Sequence, residues 1–462
     1  MWTVLFYAAS VLCLGYLVLV YILSIIMLIA SAAEHRYRTR QARTRADAIV
    51  AASPLTMPVS VLAPMFNEAH MITPVVQSLL NFTYPEFEVI VISDGSTDAT
   101  LDVLREAFAL EPEARFYRRQ FETAEVRGVY VSRRDPRLTV IDKDNGGKAD
   151  ALNCGLNFAC SGYICSIDGD TVYAPDALLN GMRPVLQDPS LVIGVTSAVA
   201  VSRHPEERRS SRPGPYRIDH QIRANFELLD FLRSFLNSRL GSARWGFMLC
   251  ASGAFAIWRR DVLQGLGGFS RDFTCEDIEF TFRVHESFRR RRRPYRIVAL
   301  TSIAGCTESP ATLGNLISQR ARWQRVILET LWSYRRMFLN PRYGSVGIFG
   351  VPHYVLTEVL APLFQTLALA VLVPAWWLGM LDIRLLELVL TVAFANAVLT
   401  NVAILLHDVE ARRYPLSNLV QLIVQGPIDL FVYRPVIFIA QVKGLVDFLR
   451  GKKGWDKFAR NR

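Results

Sequence analysis

Apolar positions along the 462-residue chain fall into three regimes. Residues 2–33 run almost without charge. The run is too long for a signal-peptide core, lacks a basic start, and is long enough to cross about 30 Å of hydrocarbon. From about residue 54 to residue 300, short β-rich runs alternate with helical ones. The runs 59–63, 88–93, 138–142 and 163–168 predict buried parallel strands. Helices are predicted over 99–109, capped by Asp98 or Thr97, over 148–158, and over 175–187 with Pro175 in its first turn. This alternation predicts an α/β domain with a doubly wound, mostly parallel sheet, and ligands at the carboxyl ends of its strands. After about residue 345 the chain is apolar again, with spans expected near 356–379 and 385–406. A third apolar stretch, 419–439, is interrupted by Gln425-Gly426-Pro427 and by Asp429.

Charge orients this plan. Arg36, Arg38, Arg40, Arg43 and Arg45 come directly after the first apolar run, so the positive-inside rule puts the central part of the chain in the cytosol. Three full crossings at the other end would place the basic tail outside. The third stretch is therefore expected to re-enter or to lie along the interface, its broken backbone supported by protein. The expected plan is a transmembrane helix over 1–35, a basic linker over 36–53, a central domain over 54–330, a membrane region over 331–442 and a basic tail over 443–462. The stretch 201–220, with its Pro213-Gly214-Pro215 turn, reads as a surface insertion. The five arginines from Arg289 to Arg293 read either as a solvated loop or as a contact for anionic lipid headgroups or a charged substrate. The net charge of +10 is gathered beside the apolar runs and comes with no nucleic-acid module, so it points to a membrane and not to nucleic acid. Seven cysteines, none in a C-x-x-C pair, fit a reduced compartment and give no zinc site.

The polar motifs sit at predicted strand ends. Asp168-Gly169-Asp170 offers two carboxylates to a hard cation, Mg2+ or Mn2+, although such triplets also occur by chance in turns. Asp94-Gly95-Ser96-Thr97-Asp98 reads as a strand-to-helix turn, or with Asp94 as acceptor for a nucleotide's base or ribose. Asn67 and Glu68, after the first strand, could border the same nucleotide. Two glycines before Lys148 let the backbone approach a ligand, and the helix N-terminus there attracts phosphate. Glu276 and Asp277 open a predicted helix, where a carboxylate can take a proton or simply complement the helix dipole. On another predicted helix, Arg322 suits phosphate and Trp323 offers a flat face to a sugar ring, or both anchor an interface.

In order, these motifs resemble those of the membrane-integrated, inverting family 2 glycosyltransferases, the group of bacterial cellulose, hyaluronan and poly-N-acetylglucosamine synthases. The resemblance covers roughly residues 58–326 and the flanking apolar segments. It implies a GT-A fold, a nucleotide-sugar donor (UDP above others) and a divalent metal held by Asp168 and Asp170. It implies donor contacts from Asn67, Glu68, Asp94, Lys148, Asp168 and Arg322. It further implies catalytic roles for Asp277, the base, and Glu276, with Gln319, Trp323, Ser252 and Gly253 at the acceptor. Thr307-Glu308 also matches similar chains. Cys275 stands where many relatives carry Thr, Val326 where close relatives carry Gly, and the 201–220 insertion has no counterpart. The implied activity is elongation of a cell-envelope polysaccharide, or, in the competing reading, transfer of one sugar to a membrane lipid. A non-catalytic scaffold would be marked by a lost carboxylate, and both acidic motifs are intact. The implied location is the inner (cytoplasmic) membrane, with membrane lipids as partners and room for accessory export or regulatory subunits.

Overall fold

The computed structural model describes residues 2–42, 56–202, 222–310, 312–380, 383–407 and 416–452. The expected linker beyond residue 42, with Arg43 and Arg45, nearly all of the 201–220 insertion with its Pro213-Gly214-Pro215 turn, and the tail from 453 onward lie outside the described residues. The elements run α1 (Trp2–Ala42), β1 (Val59–Met65), α2 (Ile72–Leu80), β2 (Phe87–Asp94), α3 (Thr100–Phe108), β3 (Leu110–Pro112), β4 (Val126–Ser132), β5 (Leu138–Lys143) and α4 (Lys148–Phe158). They continue with β6 (Tyr163–Ile167), β7 (Val172–Tyr173), α5 (Ala177–Gln187), β8 (Val192–Ser202), α6 (Ile222–Leu232), β9 (Phe255–Arg259), α7 (Glu276–Arg290) and β10 (Arg296–Glu308). Four long helices close the chain: α8 (Leu313–Ser333), α9 (Leu360–Trp377), α10 (Ile383–His407) and α11 (Leu416–Leu449). Two compact units emerge, one of Glu34–Asp219 with Met248–Ser309, the other of Met1–Ala33, His220–Phe247 and Pro310–Arg462. Segments 220–247 and 310–330, expected within the central domain, thus cluster with the apolar helices.

The first unit holds a ten-stranded sheet in the order β3-β4-β5-β2-β1-β6-β9-β8-β10-β7. Its centre, β5-β2-β1-β6, is parallel, and β8 and β10 also run parallel. Antiparallel pairings at β4, β7 and β9 make the whole sheet mixed. The strand β1 shows why the central runs are uninterruptedly apolar. Its Val59, Val61 and Ala63 enter a core with Val75 and Val76 of α2, Leu104 of α3 and Leu178 of α5. Leu62 points to the opposite face, where Gly155 of α4 leaves only about a methyl's room beside Leu62 and Ile92. Burial on both faces demands both sets of side chains. Chain order reverses at β1, which lies between β2 and β6, so the carboxyl ends of β1, β2, β5 and β6 flank the switch point where such sheets take ligands.

The second unit is helical. Among the described residues four stretches are long and apolar enough to cross a membrane: Tyr7–Arg40, Val346–Trp377, Leu386–Leu405 and Leu416–Leu449. The last corrects the expected broken backbone, because α11 runs unbroken through Gln425-Gly426-Pro427. Local propensity called for an interruption there, and packing overrides it. Gly426 lets the Asn401 amide of α10 lie where a Cβ would stand, and Gln425, Gly426 and Pro427 are all buried. Helices in apolar surroundings keep such prolines when neighbours cover the freed backbone. Beyond that point α11 packs on α6 and α8. The Arg320 guanidinium donates to the Tyr433 hydroxyl at 3.1 Å, the Phe226 and Tyr433 rings lie 5.9 Å apart, and Gly444 abuts Ala321 and Gln324.

Candidate active site

The loop after β5 is folded around one carboxylate. Asp94, last residue of β2, accepts Lys143 Nζ at 2.6 Å and the Gly146 amide at 3.0 Å on Oδ1, and the Gly147 amide at 2.8 Å on Oδ2. Its carbonyl accepts Asn145 Nδ2 at 2.7 Å. Gly147 takes φ +86°, a backbone state other residues resist, and delivers the chain into α4 at Lys148. Lys143 is 0% exposed and also meets Asp150 Oδ1 at 2.7 Å. Burial pulls its pKa down, but hydrogen bonds and charge from Asp150 and Asp94 outweigh that and leave it raised. Asp150 in turn receives Arg271 at 3.1 Å. Asp94 therefore spends both oxygens on the Gly-Gly turn, and a base or ribose would compete with those donors. Lys143 and Asp150 were not singled out as site residues in the sequence; partners 49 and 56 residues from Asp94 leave no mark in local spacing.

The turn after β1 is laced to the turn after β2. Asn67, with φ +55°, receives the Thr97 amide on its side-chain oxygen at 2.7 Å. Its own amide donates to Ser96 Oγ at 3.2 Å, and the Glu68 amide to Thr100 Oγ1 at 2.9 Å. Asp98 accepts the Thr100 amide at 3.0 Å but lies one residue outside the helix N-cap, which is Ala99 and carries no side-chain cap bond, so neither Asp98 nor Thr97 is the cap expected. Slight burial raises the Asp98 pKa, but hydrogen bonds from Thr100 and Ala69 prevail and hold it below 3.8.

The acidic motifs converge on Lys148. Its ammonium lies 2.6 Å from Asp168 Oδ1 and 2.8 Å from Glu276 Oε1. Burial opposes this charge, but Asp168, Glu276 and Asp277 together raise the lysine pKa well above its ordinary value. Glu276 is pushed above the usual carboxylate range by burial, with Asp277 adding and Lys148 opposing. Asp277 Oδ2 accepts the Gly253 amide at 2.9 Å. A Cβ on Gly253 would lie 2.9 Å from Lys148 Nζ, 3.2 Å from Glu276 Oε1 and 3.3 Å from Asp277 Oδ2, so four motif residues from three separate segments share one small volume. Ser252 closes its rim, its amide on Thr196 Oγ1 at 3.0 Å. Cys275 stands at the N-cap of α7 with no side-chain cap bond.

The D-x-D triplet hangs from β6. The Asp168 amide donates to Tyr173 Oη at 3.1 Å, and that hydroxyl donates to the Ala254 carbonyl at 2.6 Å. Gly169 presses on Met65 and Pro64 of β1 with no space for a Cβ. Asp168 remains 36% exposed. Asp170 accepts Thr171 Oγ1 at 3.3 Å and Thr307 Oγ1 at 3.4 Å, the threonine of the expected Thr307-Glu308 pair. The donor set fits a hard divalent cation: two carboxylates on one turn after β6, Asp168 with only Oδ1 on the lysine and a third of its surface open. Among the described residues no cluster of three or more metal-ligating side chains occurs, so an ion there needs its other oxygens from elsewhere.

Gln319, Arg322 and Trp323 lie on α8 in the helical unit. There Arg320 stacks 4.4 Å from the Trp323 ring and pairs with Asp230 at 3.0 Å. Burial works against ionised Asp230, but Arg320, Arg434 and Arg233 hold its pKa low.

Residues 60–267 match the family described as Glycosyl transferase family 2. Poly-beta-1,6-N-acetyl-D-glucosamine synthase of Staphylococcus epidermidis is 24% identical over 280 residues, 60% of this chain and 57% of that protein. The enzyme of the same name from Staphylococcus aureus (strain COL) is 24% identical over 291 residues, 62% of this chain and 59% of the relative. The chain thus spans somewhat more than half the length of the curated relatives it matches. Among solved structures, the mannosyltransferase PcManGT from Pyrobaculum calidifontis in complex with GDP-Man and Mn2+ superposes with a TM-score of 0.54 at 19% identity. That superposition covers 95% of this chain and 100% of the other. The shared feature is the GT-A fold.

Proposed function

We propose that this glycosyltransferase family 2 domain transfers a glycosyl unit from a UDP-sugar to an acceptor hydroxyl with inversion, elongating a cell-envelope polysaccharide. One observation carries the reading: the D-x-D and E-D carboxylates, more than 100 residues apart, meet on one ammonium, with Asp277 tethered beside them. The relatives' names make N-acetylglucosamine the first sugar to test.

Asp277 Oδ2 accepts the proton of the attacking hydroxyl as its oxygen bonds to the anomeric carbon and the bond to the diphosphate oxygen breaks. The Gly253 amide holds that carboxylate in place, and Ser252 and Gly253 border the acceptor. Lys148 keeps Asp168 and Glu276 ordered and puts positive charge near the donor phosphates. Asn67, Glu68 and Asp94 shape the nucleotide side, while Gln319, Arg322 and Trp323 serve the diphosphate and the acceptor sugar. Asp168 and Asp170 would hold Mg2+ or Mn2+, whose chemistry is to neutralise charge on the leaving diphosphate. The domain faces the cytosol of the inner membrane.

The test is metal-dependent UDP release by the purified full chain across a panel of UDP-sugars, with labelled product sized on a gel. A ladder supports elongation. A single lipid-soluble product replaces it with lipid glycosylation, and no release with any donor ends the reading.

A further inference from the structure

Helix α7 ends in a turn built of consecutive arginines. The Arg293 amide donates to the Phe288 carbonyl at 3.0 Å and the Arg292 amide to the Arg289 carbonyl at 3.1 Å, a Schellman motif with Arg292 in its left-handed position at φ +54°. Glycine takes that conformation without cost, yet an arginine stands there. Complementing the helix dipole accounts for Arg289 and Arg290 in the last turn, but not for Arg291, Arg292 and Arg293 beyond it. The turn is held firmly. Tyr295 bonds His285 at 2.5 Å, and Arg289 lies 5.3 Å from the Tyr295 ring. Burial keeps His285 neutral, its pKa pushed down to about 4.

Three residues on, Arg296 lies 3.5 Å from Glu34, the residue directly after the apolar run of α1, and Glu34 also holds Arg38 at 2.8 Å. Three residues of chain reach at most about 10 Å. The arginine turn is thus tethered close to the point where α1 leaves its apolar stretch, on the helix that also carries Arg36 and Arg40. Those two and Arg290, Arg291, Arg292 and Arg293 are exposed, and among the described residues no carboxylate pairs with any of the six.

We propose that Arg290–Arg293 form a docking surface for the anionic phospholipid headgroups of the bilayer in which α1 sits. Guanidinium forks match phosphate oxygens, and clustered arginines beside a membrane segment gain about fivefold in binding per residue. The source is the bilayer and not a soluble phosphate, because the ion pair from Arg296 to Glu34 ties the patch to the end of an apolar helix.

The experiment uses the full chain in nonionic detergent micelles, titrated with phosphatidylglycerol, with phosphatidylcholine, or with soluble glycerol 1-phosphate. The reading is the shift in unfolding midpoint. Phosphatidylglycerol should raise the midpoint at low salt, and the other two should not. The triple variant R290Q/R291Q/R293Q should need over a hundredfold more phosphatidylglycerol for the same shift, from about fivefold per arginine. R292G relieves the backbone and should raise the midpoint in phosphatidylcholine, while still weakening the phosphatidylglycerol response about fivefold. An unchanged response in R292G overturns the proposal even if the triple variant fails to fold. An equal response to glycerol 1-phosphate overturns it too, as the mark of a soluble-anion site.

Discussion

Two clusters of carboxylates at neighbouring strand ends do opposite work with the same chemistry. Around Lys143, Asp94 and Asp150 are sealed, and each Asp94 oxygen is already bonded within the fold. Around Lys148, Asp168 is a third exposed, and Asp277 is tethered by the Gly253 amide. A lysine between two acids is thus sealed in one place and, on its Asp168 side, open to solvent in the other.

Substitutions can break that contrast. Asp277→Asn should cut turnover about 10²–10⁴-fold while the unfolding midpoint and UDP-sugar binding stay near wild type, read by UDP release, thermal melts and calorimetry. Normal turnover would remove Asp277 from the base role. Lys143→Met should do the reverse. It strands two buried carboxylates and should cost about 3–5 kcal/mol of stability, read by denaturant unfolding. A melt unchanged from wild type would show that the sealed cluster is no fastener. Gly253→Ala places a methyl 2.9 Å from Lys148 Nζ and should slow turnover with a stability loss of about 1–3 kcal/mol. Cys275→Thr restores a capping hydroxyl to α7 and should add about 0.5–1 kcal/mol with activity retained. The smallest effect concerns pH. Hydrogen bonds hold Asp98 below its unfolded value of 3.8, so its contribution is present above that pH and fades as pH falls through the depressed value. Asp98→Asn should flatten only that acid limb of the stability curve.

The same physics decided which elements were legible in the sequence. The strands β1, β2, β5 and β6 were legible because burial on both faces leaves a continuous apolar run. The start of α7 at Glu276 and the helix bearing Trp323 were legible from their own residues. Less visible were β4, half-buried and carrying Arg127 and Gly128, and β10, whose register slips between Ala299 and Ile303. The course of α11 was misjudged at Gly426 because the Asn401 amide that fills the missing side-chain space comes from another helix. Lys143 escaped notice as a site residue for a like reason, since its partners are distant in sequence.

The middle residue of the D-x-D triplet has a consequence for redesign. Met65 and Pro64 claim the space beside Gly169, so its identity is dictated by the first strand and carries no information about the sugar. Libraries meant to retune donor choice should leave residue 169 untouched and diversify the walls around Asp170 instead. Any bulkier substitute would lever both acids out of register and register as a dead enzyme, whatever donor was supplied.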